Sequence, residues 1–298
     1  MRKQDFSFLL NLLKDNAGWE FNETQYFIID KKMNNFIREK NYNSIEDLIT
    51  DLQSGNKQLI AQVVEAMAFS DTSFYRNYDV FYQFENVTLP KLKEKCRATK
   101  KLNIWSLGCS TGQEAYSIAM SIDKNSKLFY DWNVNILASD LSSLAISKAQ
   151  HGVYSYFEVQ NGLNAKNILN YFHQTADAWE VSDKIKKMIE FRRYNLLDEA
   201  IVKSKFELVF CRNVLRYFTP ELQDNLLKRI SEKQPQGGYL YLGKGEIIPA
   251  IEKYYHKIDN NGTYMAMGNS KADTSAGNLS VSNVDSDALP SFVKPKGL

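Results

Sequence analysis

The stretch Leu102-Asn-Ile-Trp-Ser-Leu-Gly108-Cys-Ser-Thr-Gly112-Gln-Glu114-Ala-Tyr116 decides the fold. Apolar, strand-like residues run into a turn built on two glycines, and a helix-forming segment leaves it. Glycine lets backbone approach a ligand closely because no side chain intervenes. The helix that follows aims unsatisfied N–H groups back at the same spot. The stretch therefore reads as the floor of a ligand site.

Outward from it the pattern is strands alternating with helices. Residues 102–107 read as a strand and 115–122 as a helix. Residues 134–139 form a strand ending at Asp140, followed by a short helix through Leu144, Ile146 and Ala149. Residues 206–211 are another apolar strand. Thr219-Pro220-Glu221 starts a helix with a capping hydroxyl and Pro at its first position. Residues 239–242 add a further strand after Gly237-Gly238. Such alternation indicates an α/β fold with a mostly parallel sheet covered on both faces.

Two regions break this rhythm. Residues 152–194 hold irregularly spaced aromatics and short β-like runs at 171–174, 179–181 and 189–193, a small β-rich insertion. Residues 5–68 show helical stripes, such as Phe6, Leu9, Leu10 and Leu13, and Ser44 with Asp47 looks like a capping box. The local cluster Lys31, Lys32, Arg38 and Lys40 reads as a solvated face. The expected organisation is a helical N-terminal domain over 1–85, a sheet domain over 86–268 and a disordered tail over 269–298.

Composition narrows the function classes. With 44% hydrophobic residues and a net charge of +2, the chain supports a sizeable core and offers no argument for a nucleic-acid partner or membrane insertion. Cys96, Cys109 and Cys211 show no CxxC pairing, and His151, His173 and His256 are scattered. A reduced, cytoplasmic protein without a metal site is the expectation.

Three chemistries compete for the glycine turn. A Gly-x-Ser-x-Gly elbow would make Ser110 the nucleophile of an α/β-hydrolase, but no oxyanion segment of the His-Gly-Gly type precedes it. A dinucleotide site expects Gly-x-Gly-x-x-Gly, and Ser110 occupies the second glycine position. An S-adenosylmethionine site needs a close backbone turn and an acid for the ribose hydroxyls, which Asp140 would supply at the end of the next strand. For Asp140 the competing role is to cap the following helix, with Ser142 and Ser143 as rivals.

The sequence also resembles the CheR family of chemotaxis receptor methyltransferases. Thr72-Ser-Phe74-Tyr75-Arg76 is similar to the family's Thr-x-Phe-Phe-Arg, and Trp105-Ser-Leu-Gly108-Cys-Ser-Thr-Gly112-Gln-Glu114-Ala-Tyr116-Ser to its glycine motif. Asn195-Leu196-Leu197, then Phe210-Cys211-Arg212-Asn213-Val214-Leu215-Arg216-Tyr217-Phe218, then Leu242-Gly243-Lys244-Gly245-Glu246, continue the likeness in order. The resemblance implies a Rossmann-like class I methyltransferase sheet with a β-subdomain and a helical N-terminal domain. It implies S-adenosylmethionine as methyl donor, S-adenosylhomocysteine as product, no metal, and glutamates on the cytoplasmic helical domain of chemoreceptor-like proteins as acceptors. Cofactor contacts are implied at Thr72, Arg76, Gly108, Glu114, Asp140, Asn195, Leu196, Arg212 and Asn213. Arg76 and Arg97 are the candidates for orienting the substrate carboxylate, and Tyr217 or Phe218 for flanking the sulfonium. The chain departs from the pattern at Ser70, where asparagine is usual, at Tyr75 in place of Phe, and at Gln113 in place of Glu. A methyltransferase-like binding module without turnover is the alternative.

Overall fold

Four amphipathic helices open the chain in the computed structural model, which describes residues 2–21, 25–69, 71–198 and 204–268. They are α1 (Lys3–Ala17), α2 (Tyr26–Glu39), α3 (Ile45–Gln53) and α4 (Lys57–Met67). Each buries one stripe. Leu9 and Leu13, Ile29 and Met33, Leu48 and Leu52, and Val63 and Met67 meet in a single core. Ser44 caps α3 by accepting from the Asp47 N–H at 3.1 Å.

Two short helices follow, α5 (Tyr78–Gln83) and α6 (Leu89–Lys95), joined by a π-helical turn at Phe84–Thr88. In sequence, residues up to 85 group with the N-terminal helices. In space, Phe81 and Phe84 pack on the main sheet, where their rings meet Phe210 and Tyr241, and Phe74 meets Tyr154 of the insertion. Aromatic burial outweighs helical neighbourhood here.

Helices and strands then alternate through β1 (Lys101–Leu107), α7 (Gln113–Lys124), β2 (Asn133–Asp140) and α8 (Ser143–His151). The insertion contributes β3 (Val153–Tyr154), α9 (Tyr156–Gln160), α10 (Ala165–Tyr171), β4 (Phe172–Gln174), β5 (Trp179–Val181) and α11 (Asp183–Lys186). The chain returns through β6 (Ile189–Arg193), β7 (Leu208–Cys211), α12 (Pro220–Glu232), β8 (Tyr239–Leu242), β9 (Tyr255–Lys257) and β10 (Thr263–Ala266). Among the described residues the main sheet has the order β6-β2-β1-β7-β8-β10-β9. Its first five strands are parallel, and β10 and β9 are antiparallel. Period-two alternation divides its side chains between two layers. Leu102, Ile104, Leu208 and Phe210 join α7 on one face, and Trp105, Leu107, Val209 and Cys211 join α12 on the other.

The insertion is smaller in strand content than the sequence suggests. β3, β5 and β4 form a separate antiparallel sheet, but the 189–193 run is β6 of the main sheet, paired from Ile136↔Ile189 to Asp140↔Arg193. A short apolar run carries no mark of which sheet it will join. No described helix is long and apolar enough to cross a membrane. The expected tail at 269–298 and the Ser70 departure lie outside the described residues.

β1 pairs with β2 on one side and with β7 on the other, so the strand order reverses beside it. Ligands of open α/β sheets bind at such a switch point, outside the carboxyl ends of the strands. The turn quoted at the outset lies there.

Candidate active site

The turn after β1 takes a left-handed backbone three times, at Gly108 (φ 75°), Ser110 (φ 51°) and Gly112 (φ 96°). A Cβ at position 108 would sit 2.4 Å from Cγ2 of Val214, so the turn admits no side chain there. Ser110 is not a glycine, and its conformation is held from outside. Its N–H donates to Oδ2 of Asp140 at 2.8 Å.

Asp140 ends β2, and its Oδ1 accepts from the Ser142 N–H at 3.0 Å. The cap of α8 is Ser142, whose hydroxyl accepts from the Ala145 N–H, which frees Asp140 from that role. Burial pushes the Asp140 carboxyl up, against the pull of the N–H groups of Ser142 and Ser110. Two acceptor positions on this carboxylate are taken by backbone, leaving about two more.

Glu114 stands in the first turn of α7. It accepts from the Ser106 hydroxyl at 2.9 Å and from Nη1 of Arg212 at 3.2 Å. Burial again pushes its carboxyl up, with Arg212 the strongest opposing influence. Arg212, expected among the ligand contacts, faces inward with its side chain 1% exposed. Its Nη2 donates to the Arg76 carbonyl and to Oδ1 of Asn77, and its plane lies over Phe81. It braces the 71–77 loop against the sheet. In that loop Arg76 donates to the Asp71 carbonyl at 2.6 Å and to its carboxylate at 2.9 Å.

The turn after β7 is built differently. Asn213 is left-handed (φ 60°), and its N–H donates to Oε2 of Glu246 at 2.8 Å. Glu246 also accepts from the N–H groups of Gly243 and Arg216, at 2.8 and 3.0 Å. Across the site, Asn195 donates to the Asn16 carbonyl at 3.3 Å and accepts from the Leu197 N–H.

These elements enclose one cleft with about 1150 Å³ of empty space, its open mouth included. Thr72, Arg76, Gly108, Ser110, Glu114, Asp140, Asn195, Leu196, Arg212 and Asn213 all line it. Trp19, Phe69, Tyr194 and Tyr217 supply an aromatic wall, Phe69 stacked on Tyr217 at 4.9 Å and 7°. Trp19, Phe69 and Tyr194 carry no local sequence signal, since single aromatics in loops look alike until the chain folds. Arg97 is elsewhere. It lies 80% exposed beside Lys93, Lys100 and Trp132 in a depression at the amino end of β1 and β2. Ser110 meets no histidine either, because His151, His173 and His256 sit on α8, β4 and β9 and none lines the cleft.

Residues 70–263 match the family described as CheR methyltransferase, SAM binding domain. The chain belongs to the CheR family. It is 31% identical over 258 residues to chemotaxis protein methyltransferase 1 of Pseudomonas aeruginosa, covering 85% of this chain and 94% of that one. It is also 31% identical to the chemotaxis protein methyltransferase of Borreliella burgdorferi, covering 83% and 89%. With the Listeria monocytogenes protein of that name the identity is 30%, covering 88% and 97%. The protein is a methyltransferase with a Rossmann-like sheet, and S-adenosylmethionine is its cofactor.

The cleft's donor set fits that cofactor. S-adenosylmethionine brings an ammonium, a carboxylate, a ribose diol, a sulfonium and a flat base. Glu114 and Asp140 are partly buried acids with lone pairs to spare, and Arg76 already holds a carboxylate. The Ser110 hydroxyl and Nε of Arg212 are buried polar atoms that find no protein partner among the described residues.

Proposed function

We propose that this protein transfers the methyl group of S-adenosylmethionine to glutamate side chains on the cytoplasmic helical domain of chemoreceptor-like proteins. The observation that carries the proposal is the convergence of two partly buried carboxylates and a carboxylate-holding arginine in one cleft at the sheet's switch point. The relatives named for chemotaxis support the choice of acceptor. In this assignment Glu114 accepts from the methionyl ammonium and Asp140 from the ribose diol. Of the two arginines the sequence singles out for a carboxylate, Arg76 lines the cleft and Arg97 does not, and Arg212 and Arg216 border the cleft as well. Arg76 is assigned to the carboxylate of the methionyl arm or of the incoming glutamate. Thr72, Asn195, Leu196 and Asn213 complete the walls, and Gly108 keeps the floor low. Tyr217, whose other face is stacked on Phe69, offers a π face to a cation.

When bound, the cofactor supplies an electrophilic methyl group on sulfur. A glutamate with pKa near ~4.3 is already ionised at neutral pH and needs no general base. The chain's own contribution is alignment in a partly dry cleft, a source of up to ~7–11 kcal/mol in favourable cases. The product is a neutral ester. Loss of one charge relieves repulsion between neighbouring glutamates on a helical receptor, which makes the modification a signal.

Transfer of labelled methyl to membranes carrying candidate receptors tests the proposal. The label is expected on receptor polypeptide and is released as methanol by mild base. Label that resists base would overturn the glutamate assignment, and binding of S-adenosylhomocysteine without any transfer would overturn the enzymatic one.

A further inference from the structure

Lys32 is the one member of the basic cluster on α2 that is not on a solvated face. Lys31, Arg38 and Lys40 are exposed, whereas Lys32 is half-buried and makes no ion pair among the described residues. Its amine donates to the carbonyl of Ala68 at 2.6 Å and to that of Ala66 at 3.3 Å. Both acceptors belong to the end of α4, where helix carbonyls lack intrahelical partners and a cation is favourable. Burial pulls the amine below the usual lysine range. The same amine lies 5.6 Å from the ring centre of Phe69, and Phe69 in turn lies flat on Tyr217. Ala68, Phe69 and Tyr217 all line the cleft, and the chain leaving Phe69 leads to Thr72 and Arg76. Lys32 itself does not line it.

We propose that Lys32 is a positioning residue for the cofactor: it pins the exit of α4 so that Phe69 stays against Tyr217 and the cleft wall stands preformed. The proposal rests on the cleft being the S-adenosylmethionine site. Without the amine, two carbonyls turn toward water, the exit segment gains freedom, and only a fraction of molecules present an intact wall. Apparent affinity falls by that fraction. An N-terminal helix thereby governs cofactor binding without contacting the ligand.

Calorimetric titration of the full chain with S-adenosylhomocysteine tests this. Lys32→Met is expected to bind about tenfold more weakly, the loss set by two charge-assisted hydrogen bonds that order the wall. Its kcat at saturating S-adenosylmethionine should stay within about twofold, because Lys32 touches no reacting atom. Lys32→Arg, which can still donate to both carbonyls, should recover most of the affinity. Phe69→Leu should weaken binding, and adding Lys32→Met to it should cost little more, because both act through one wall. Unchanged affinity in Lys32→Met, or additive effects in the double variant, would overturn the proposal. Should Lys32→Met fail to fold, Lys32→Gln keeps a donor but loses the charge. It should bind several-fold more weakly, and wild-type affinity there would likewise overturn the proposal. A wild-type chain that bound no S-adenosylhomocysteine would bring down the functional assignment itself, and this inference with it.

Discussion

Two turns at the carboxyl ends of β1 and β7 use one device for opposite purposes. In each, a residue other than glycine is held left-handed by a carboxylate that accepts its N–H: Ser110 by Asp140, and Asn213 by Glu246. Asp140 gives two acceptor positions to backbone and borders the cleft. Glu246 takes three backbone N–H groups, is 6% exposed, and is not among the cleft-lining residues. The first carboxylate keeps capacity for a ligand. The second is committed to the frame. The two acids thus differ in role by burial and by how many lone pairs the backbone leaves them.

Removing each acid separates the roles, and the largest effect belongs to the frame. Glu246→Ala strips an acceptor from three N–H groups, that of buried Gly243 and those of the less buried Asn213 and Arg216, each costing up to about 1–3 kcal/mol when left unpaired away from water. Water entering the gap reduces the sum, so a stability loss of roughly 3–5 kcal/mol is expected, read as a lower denaturant midpoint. A shift below about 1 kcal/mol would show that the β7 turn holds itself and would end the comparison.

The β1 turn depends on its glycine instead. Gly108→Ala must adopt φ near 75° and place Cβ against Val214. Left-handed strain of about 1–2 kcal/mol and overpacking of about 1–3 kcal/mol predict a loss of roughly 2–5 kcal/mol. Val214→Ala added to it should recover the packing part and leave the strain. If the double variant recovers nothing, the clash at 108 is not the cause.

This contrast also explains what could be read in advance. Gly108, Gly112, Glu114 and Asp140 sit in one strand–turn–helix–strand unit, where periodicity and Gly spacing speak directly. The strands at 102, 134, 206 and 239 and the Thr219 cap were legible for the same reason. Glu246 lies 33 residues from Asn213, and only folding joins them. Trp19 reaches the cleft through an antiparallel bridge to Phe218, and Phe69 through the exit of α4, neither of which a local pattern encodes. The 189–193 run fails differently: its residue types mark a strand, but not the sheet it joins.

Asp140→Asn probes the ligand-facing acid. The amide keeps a lone acceptor oxygen for the turn but loses the charge, so S-adenosylhomocysteine should bind about ten- to a hundredfold more weakly. Stability should change less than in Glu246→Ala, because burial already opposes the Asp140 charge. Equal losses of stability in the two variants would erase the distinction drawn between them.

Mild acidification should have a smaller effect of the same sign on binding. Burial raises the carboxyls of Asp140 and Glu114 in the folded chain. Acids raised in this way favour folding while protonated, below their unfolded value, and that contribution is lost as pH rises through the folded value. From these two groups the free protein therefore gains stability as pH falls, whereas a ligand that needs them ionised loses affinity. Affinity for S-adenosylhomocysteine should begin to fall at a pH above the ordinary carboxylate range. Titrations at several pH values, set beside thermal melts of the free chain, test both signs, and affinity that held until ordinary carboxylates protonate would contradict them.

The smallest effect is expected at Arg97, and it sharpens the comparison by supplying its zero. By residue type Arg97 matched Arg76 as a candidate for a carboxylate. By position it differs in every respect that matters. Its ion pair with Glu94 at 3.9 Å joins two side chains each 80% exposed, a contact that solvent largely screens. It lies at the amino end of the strands, opposite the face where the cleft opens. Arg97→Ala should leave S-adenosylhomocysteine affinity and kcat/KM at wild-type values, while Arg76→Ala, which removes a cleft-lining guanidinium, should weaken binding. A fall in kcat/KM for Arg97→Ala with cofactor affinity unchanged would mean that receptor contacts extend to the amino end of the sheet, so that charge at this end serves acceptor capture although it cannot serve alignment.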